Sequence, residues 1–129
     1  MLDPQPFKLS VFSDIILGVS ELERSVAFYR DVLGFNLQRQ GDGFAFFLGG
    51  GVSFVLSEPL LKMRPGPTGA VEIVFAVDDV RAAWKVLKNR GLIFTTEPME
   101  ISGTLWGAGF DDPDGHHLSI LGPERKTKT

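Results

Sequence analysis

Cysteine is absent from all 129 residues, which removes disulfides, thiolate catalysis and cysteine-type metal sites. That fits a reducing compartment, and a cytoplasmic setting is the expectation. Basic charge is scarce: 13 Lys and Arg face 16 Asp and Glu, for a net charge of −3. The chain therefore lacks the electrostatic footprint of a nucleic-acid partner. Its one basic cluster, Arg125, Lys126 and Lys128, reads as a solvated end. No apolar run approaches the ~18 residues of a membrane span, so no membrane partner is expected. The opening Met-Leu-Asp-Pro-Gln-Pro lacks a basic region followed by an apolar stretch, and no signal peptide is expected. Tyrosine occurs once, against eleven Phe and two Trp. Such aromatic area can fill a core or line an apolar pocket, and composition does not distinguish the two.

A length of 129 residues suits one domain with a normal core, and 43% hydrophobic with 22% charged residues is ordinary for a globular protein. Within it the chain nearly repeats itself. Residues 14–22 read Asp-Ile-Ile-Leu-Gly-Val-Ser-Glu-Leu and residues 72–80 read Glu-Ile-Val-Phe-Ala-Val-Asp-Asp-Val, half a chain apart. In each, a carboxylate opens an apolar run, a valine closes it, and a polar helix cap follows. The repeat predicts two equivalent modules and places Asp14 and Glu72 at equivalent points of them.

Local signals complete the modules. Residues 11–19 read as a strand, and Ser20 with Glu23 reads as a capping box. A helical stripe of Leu22, Val26, Tyr29 and Leu33 runs to a stop at Gly34. Strands are predicted at 35–39 and 44–48, joined by a Gly41-Asp42-Gly43 turn, and at 52–57. Residues 59–69, rich in Pro and Gly, read as a linker or flap. The unit then recurs. A strand at 70–77 is followed by a helix capped by Asp78, with Val80, Ala83, Trp84 and Leu87 inward, and by a strand at 92–96. After an irregular stretch at 97–104, strands at 105–111 and 116–121 flank an Asp112-Pro113-Asp114-Gly115 turn. The expected fold class is α+β: a first βαβββ module at 10–58, the linker, a second at 70–122 and a tail at 123–129. Eight strands and two helices would curl around a shared cavity.

Three segments carry a family resemblance: Ser25-Val-Ala-Phe-Tyr-Arg-Asp-Val-Leu-Gly-Phe35, Val74-Phe-Ala-Val-Asp-Asp-Val80, and Phe110-Asp-Asp-Pro-Asp-Gly115, with Trp106-Gly107 before the last hairpin. From about residue 10 to 122 the chain resembles the vicinal oxygen chelate superfamily. That group includes glyoxalase I, bleomycin-resistance proteins, fosfomycin-resistance enzymes and extradiol dioxygenases. The resemblance implies the paired-module fold and a homodimer. It is weak for function, because one fold carries several chemistries and plain binding proteins. Metal-using members place ligands at points filled here by Asp14, Glu72 and Ser119, where the usual occupants are His or Gln, His, and Glu. The family's histidines are thus absent.

Strand alternation sends Ile15, Leu17 and Val19, with Ile73, Phe75, Val77, Leu118 and Ile120, toward the helices. Asp14, Glu72, His117 and Ser119 then face the cavity. Two carboxylates in an apolar cavity do not both stay ionised and unpaired. Three readings stay open. The pair holds a divalent cation (Mn²⁺, Mg²⁺, Ni²⁺, Zn²⁺ or Fe²⁺) with His117 or Ser119 and water. It hydrogen-bonds an organic ligand with no cofactor. Or it is structural, satisfied by Ser13 or by Arg24, Arg39 or Arg64. Phe46, with Phe44 beside it, and Trp106 are the aromatic pocket candidates, whereas Phe47 and Phe54 are assigned to the core. No catalytic residue emerges, and no nucleophilic triad is suggested. The leading expectation is a small-molecule-binding protein of the bleomycin-resistance type that sequesters a partly aromatic metabolite or antibiotic. The alternative is a metal-dependent lyase, isomerase or dioxygenase of the glyoxalase type, with Asp14 and Glu72 as ligands.

Overall fold

The computed structural model describes residues 12–49, 51–66 and 71–125. The first module runs β1 (Asp14–Gly18), α1 (Leu22–Ala27), β2 (Asn36–Gly41), β3 (Phe44–Gly49) and β4 (Val52–Ser57). A short helix, α2 (Glu58–Met63), follows it. The second module runs β5 (Glu72–Ala76), α3 (Val80–Asn89), β6 (Met99–Ser102), β7 (Leu105–Asp111) and β8 (His117–Pro123). Each module is one four-stranded sheet, ordered β1-β4-β3-β2 and β5-β8-β7-β6. The first and last strands of each pair in parallel, Ile16 beside Val55 and Val74 beside Ser119. The other pairings are antiparallel. Among the described residues no helix is long and apolar enough to cross a membrane.

Alternation is obeyed on the helix-bearing faces. Leu17, Val19, Phe47, Phe54 and Leu56 of the first sheet are buried with Leu22, Val26 and Tyr29 of its helical segment. Phe110, Leu118 and Ile120 of the second are buried with Val80 and Leu87 of α3. These residues form one cluster across both modules, and the Phe35 ring meets Phe75 edge-on at 5.4 Å. Close-packed aromatic and aliphatic area of this kind is the main stabilising term of such a domain. Past α1 the chain widens into a π-helical turn over Phe28–Val32, with Leu33 N–H donating to the Phe28 carbonyl. The β2–β3 hairpin turns as expected, with φ of 54° at Asp42 and 83° at Gly43. Left-handed values at both positions mark the turn whose twist matches the strands.

Four local expectations are corrected. The second strand of the second module is Met99–Ser102, not 92–96. Phe94 makes only an isolated bridge to Phe110, and Leu92 is core. The linker does not start as coil, because Pro59 stands in the first turn of α2 and the Ser57 hydroxyl caps it, accepting from Leu60 N–H at 3.0 Å. Ser20 does not cap α1; the cap position is Glu21, and Leu22 N–H donates instead to the Glu58 carboxylate at 2.7 Å. The cap of α3 is Asp79 rather than Asp78, and its carboxylate accepts from Arg81 and Ala82 N–H. Expectations for residues 10, 11, 67–70 and 126–129 lie outside the described residues.

The Asp112–Gly115 turn fastens the modules together. Asp112, 5% exposed, accepts from the buried Tyr29 hydroxyl at 2.8 Å and from the Asp114 and His116 amides. The Asp114 carboxylate accepts from Ser20 N–H and the Ser25 hydroxyl of the first module. The His116 ring nitrogen Nε2 lies 2.7 Å from the Gly18 carbonyl. Burial first, then the adjacent Asp112 carboxylate, pushes the Tyr29 phenol far above its ordinary pKa.

Candidate functional site

The sheet faces opposite the shared core are open. On the second sheet this face is hollow, a cavity of about 560 Å³. Its floor is low because β7 contributes Gly107 and Gly109 there. The Gly109 N–H donates to the Thr96 hydroxyl at 2.8 Å, which pins the 95–96 segment as one wall. Met99, Ile101, Val74 and Leu121 supply apolar sides. Glu72, His117 and Ser119 supply the polar end. A second cleft of about 650 Å³ runs along the meeting of β1 and β5, lined by Ile16, Gly18, Leu61, Glu72, Val74 and others. Glu72 and Val74 belong to both.

The candidates therefore divide. Glu72, His117 and Ser119 come together in the second-sheet cavity. The Glu72 side chain has no hydrogen bond or ion pair with any other described residue. Asp14 is exposed at the start of β1, accepts from the Ser13 hydroxyl at 2.7 Å, and lines none of these cavities. Phe46 sits on the open face of the first sheet, stacked on Phe44 at 6.2 Å, with the Arg39 guanidinium 3.9 Å above its ring. Trp106 alternates with Ala108 and Phe110, so it packs toward the core rather than into the cavity. Among the described residues no three His, Asp or Glu side chains converge as a metal site. In a single chain, Asp14 does not line the cavity that holds Glu72 and Ser119.

Sequence reasoning missed Gly107, Gly109 and Asp111. The glycines carried a readable signal, because glycine inside a strand marks a close approach or a hollow. Asp111 pairs with His117 across β7 and β8, and its Oδ1 lies 2.6 Å from His117 Nδ1.

Two βαβββ modules thus share one core, and the second sheet carries an apolar hollow with a small polar end. Residues 11–120 match the model of the Glyoxalase/Bleomycin resistance protein/Dioxygenase superfamily, and the chain belongs to that superfamily. It is 27% identical over 119 residues to a probable lactoylglutathione lyase of Vibrio cholerae, covering 82% of this chain and 86% of that one. The fold is shared with a glyoxalase/bleomycin resistance protein/dioxygenase from Nocardioides, at a TM-score of 0.76 and 25% identity over 95% of this chain and 89% of that one. It is shared also with TnmS3, an antibiotic binding protein from Streptomyces, at a TM-score of 0.75 and 26% identity over 92% and 98%.

Proposed function

We propose that this protein binds a small, partly aromatic organic molecule, a metabolite or antibiotic, without transforming it, and that the second-sheet cavity is where it does so. The observation that carries this reading is the hollow over Gly107 and Gly109, lined by Val74, Met99, Ile101 and Leu121 with Glu72, His117 and Ser119 as its polar groups. Such a shape buries a flat ligand and orients it through a few polar contacts. Likeness to an antibiotic binding protein supports the binding branch of the family. Likeness to a probable lactoylglutathione lyase, together with the placement of the Glu72 carboxylate in the cavity, supports a metal-dependent enzyme as the second reading. A cytoplasmic location agrees with the lack of cysteine.

The open faces also call for cover. Ile16 and Val74 are 48% and 47% exposed, and Leu48, Met99 and Ile101 are more exposed still. Apolar residues grouped on open sheet faces mark an interaction surface. A second copy of the chain is the proposed occupant, making a homodimer. Light scattering should find two chains per particle, and Val74→Glu should release monomers; a monomeric parent protein defeats the dimer.

The ligand test is titration with the neutral apolar fluorophore N-phenyl-1-naphthylamine. Saturable binding of one molecule per chain is expected. It should be lost in Gly107→Leu, whose new side chain fills the hollow after displacing only the tip of Ile101, 2.7 Å from where the added Cβ would stand. Unsaturable binding, or binding untouched by that variant, removes the cavity reading. Metal content, and melting with Mn²⁺, Ni²⁺, Zn²⁺ and Mg²⁺ added, separates the second reading. Stoichiometric metal lost in Glu72→Gln would establish the enzyme reading instead.

A further inference from the structure

Three strands place one row of polar side chains across the cavity end. Glu72 on β5 is the register partner of His117 on β8, and His117 is the register partner of Asp111 on β7. Partners across a ladder share a face, so His117 lies in register between the two and meets Asp111, while Glu72 and His117 line the cavity. Asp111 Oδ1 is buried and has no aligned hydrogen-bond donor, and its near polar neighbour is His117 Nδ1 at 2.6 Å. A buried carboxylate oxygen left without a proton donor is costly, so the pair favours keeping the ring proton on Nδ1. Nε2 is then the free acceptor. Among the described residues no Lys or Arg lines the cavity. Its polar end therefore offers acceptors from Glu72 and His117, with the Ser119 hydroxyl adaptable beside them and the Thr95 and Thr96 hydroxyls on the wall.

We propose that this end is an acceptor site that selects apolar ligands bearing a hydroxyl donor, phenols above all, and that it disfavours carboxylates. His117 Nε2 receives the ligand O–H, and Asp111 is a positioning residue that sets the imidazole tautomer. This rests on the ligand occupying the second-sheet cavity. The neighbouring histidine is an internal control. His116 Nε2 lies 2.7 Å from the Gly18 carbonyl, which only accepts, so that nitrogen carries the proton. The two adjacent histidines, the only two in the chain, hold opposite tautomers.

The first measurement is the ¹⁵N spectrum of the whole protein at a pH where both rings are neutral. Expected is the Nε2–H form for His116 and the Nδ1–H form for His117, with His117 alone reverting to Nε2–H in Asp111→Asn. An Nε2–H form for His117 in the parent protein overturns the proposal without requiring any variant to fold. The second compares three ligands on one ring system: naphthalene, 2-naphthol and 2-naphthoate. Expected is 2-naphthol binding about tenfold tighter than either of the others, the scale of one hydrogen bond with a charge-supported partner. Asp111→Asn should reduce that preference and leave naphthalene unchanged. Equal binding of all three overturns the selectivity while sparing the cavity. Failure of all three to bind removes both the cavity reading and this one.

Discussion

The two modules share strand order and helix placement, yet their open faces are built oppositely. The registers align Asp14, Ser53 and Leu48 of the first sheet with Glu72, His117 and Asp111 of the second. They also align Phe44 and Phe46 with Gly107 and Gly109. One module fills its face with stacked phenylalanines under Arg39, and lays α2 against Gly18. The other empties its face and sets a polar row at the end. A duplicated scaffold thus yields one face partly covered by α2 and phenylalanines and one hollowed at glycines, because the helix-side residues that hold each sheet in the core alternate with residues on the outer face. Those free positions can diverge without unfolding either module.

The comparison can be broken hardest at the fastener between modules. Tyr29→Ala should cost about 3–5 kcal/mol, the range for emptying a buried aromatic site. Tyr29→Phe should cost about 1.5–3 kcal/mol, because it takes a donor from the buried Asp112 carboxylate. Urea unfolding measures both, and equal stability of Tyr29→Phe and parent would refute the fastening role. The chain's single tyrosine makes a second check direct. Its raised pKa means a stabilising contribution fully present below the ordinary phenol pKa and lost as pH climbs above it toward the folded value. Absorbance at alkaline pH should show the phenol ionising only together with unfolding; independent ionisation near pH ~10 would contradict it.

A smaller effect should sharpen the difference between covered and hollow faces. A Cβ on Gly18 would come within 3.0 Å of the Leu61 backbone, which cannot swing away. Gly18→Ala should therefore cost about 1–3 kcal/mol, the overpacking range, and loosen α2 toward proteolysis. Gly107→Ala, whose neighbour is the mobile end of Ile101, should melt within a degree or so of the parent. Similar melting losses for the two would erase the distinction.

The smallest effect belongs to the helix caps. Burial alone would raise the Asp79 carboxyl, but N–H bonds from Ala82, Arg125 and Arg81 outweigh it and hold the group below its usual pKa. A depressed carboxyl stabilises above its unfolded pKa and loses that contribution as pH falls through the folded value. Asp79→Ala should lower the melting temperature modestly at neutral pH, with the gap to the parent closing on acidification. A gap that widens in acid would reverse the sign of this reading.

Much of the fold was legible because its determinants are local and periodic. The repeat, the Gly41-Asp42-Gly43 hairpin and the inward faces of β1, β5 and β8 follow from turn chemistry and alternation. The miss at β6 has a plain cause. Met99–Ser102 is an edge strand exposed throughout, so it carries no burial pattern, whereas Leu92 and Phe94 look like a strand but serve the core as a loop. The α2 helix had its signals, Ser57 as cap and Pro59 in the first turn, hidden in a segment whose prolines and glycines read as coil. Of the site, Glu72, His117 and Ser119 were reachable by alternation. Trp106 was misassigned although alternation along the expected 105–111 strand sets it on the same face as Ala108 and Phe110, opposite Leu118 and Ile120 of the core side.

By itself the sequence determined two βαβββ modules, their core faces and the superfamily, since period, turn residues and motif spacing are properties of neighbouring residues. Tertiary structure alone decided which module became hollow and that the Asp112–Gly115 turn binds one module to the other. Glu58 capping a helix that begins 36 positions earlier belongs to the same class. Such choices depend on which distant backbone segments pack together, and no local pattern encodes that distance.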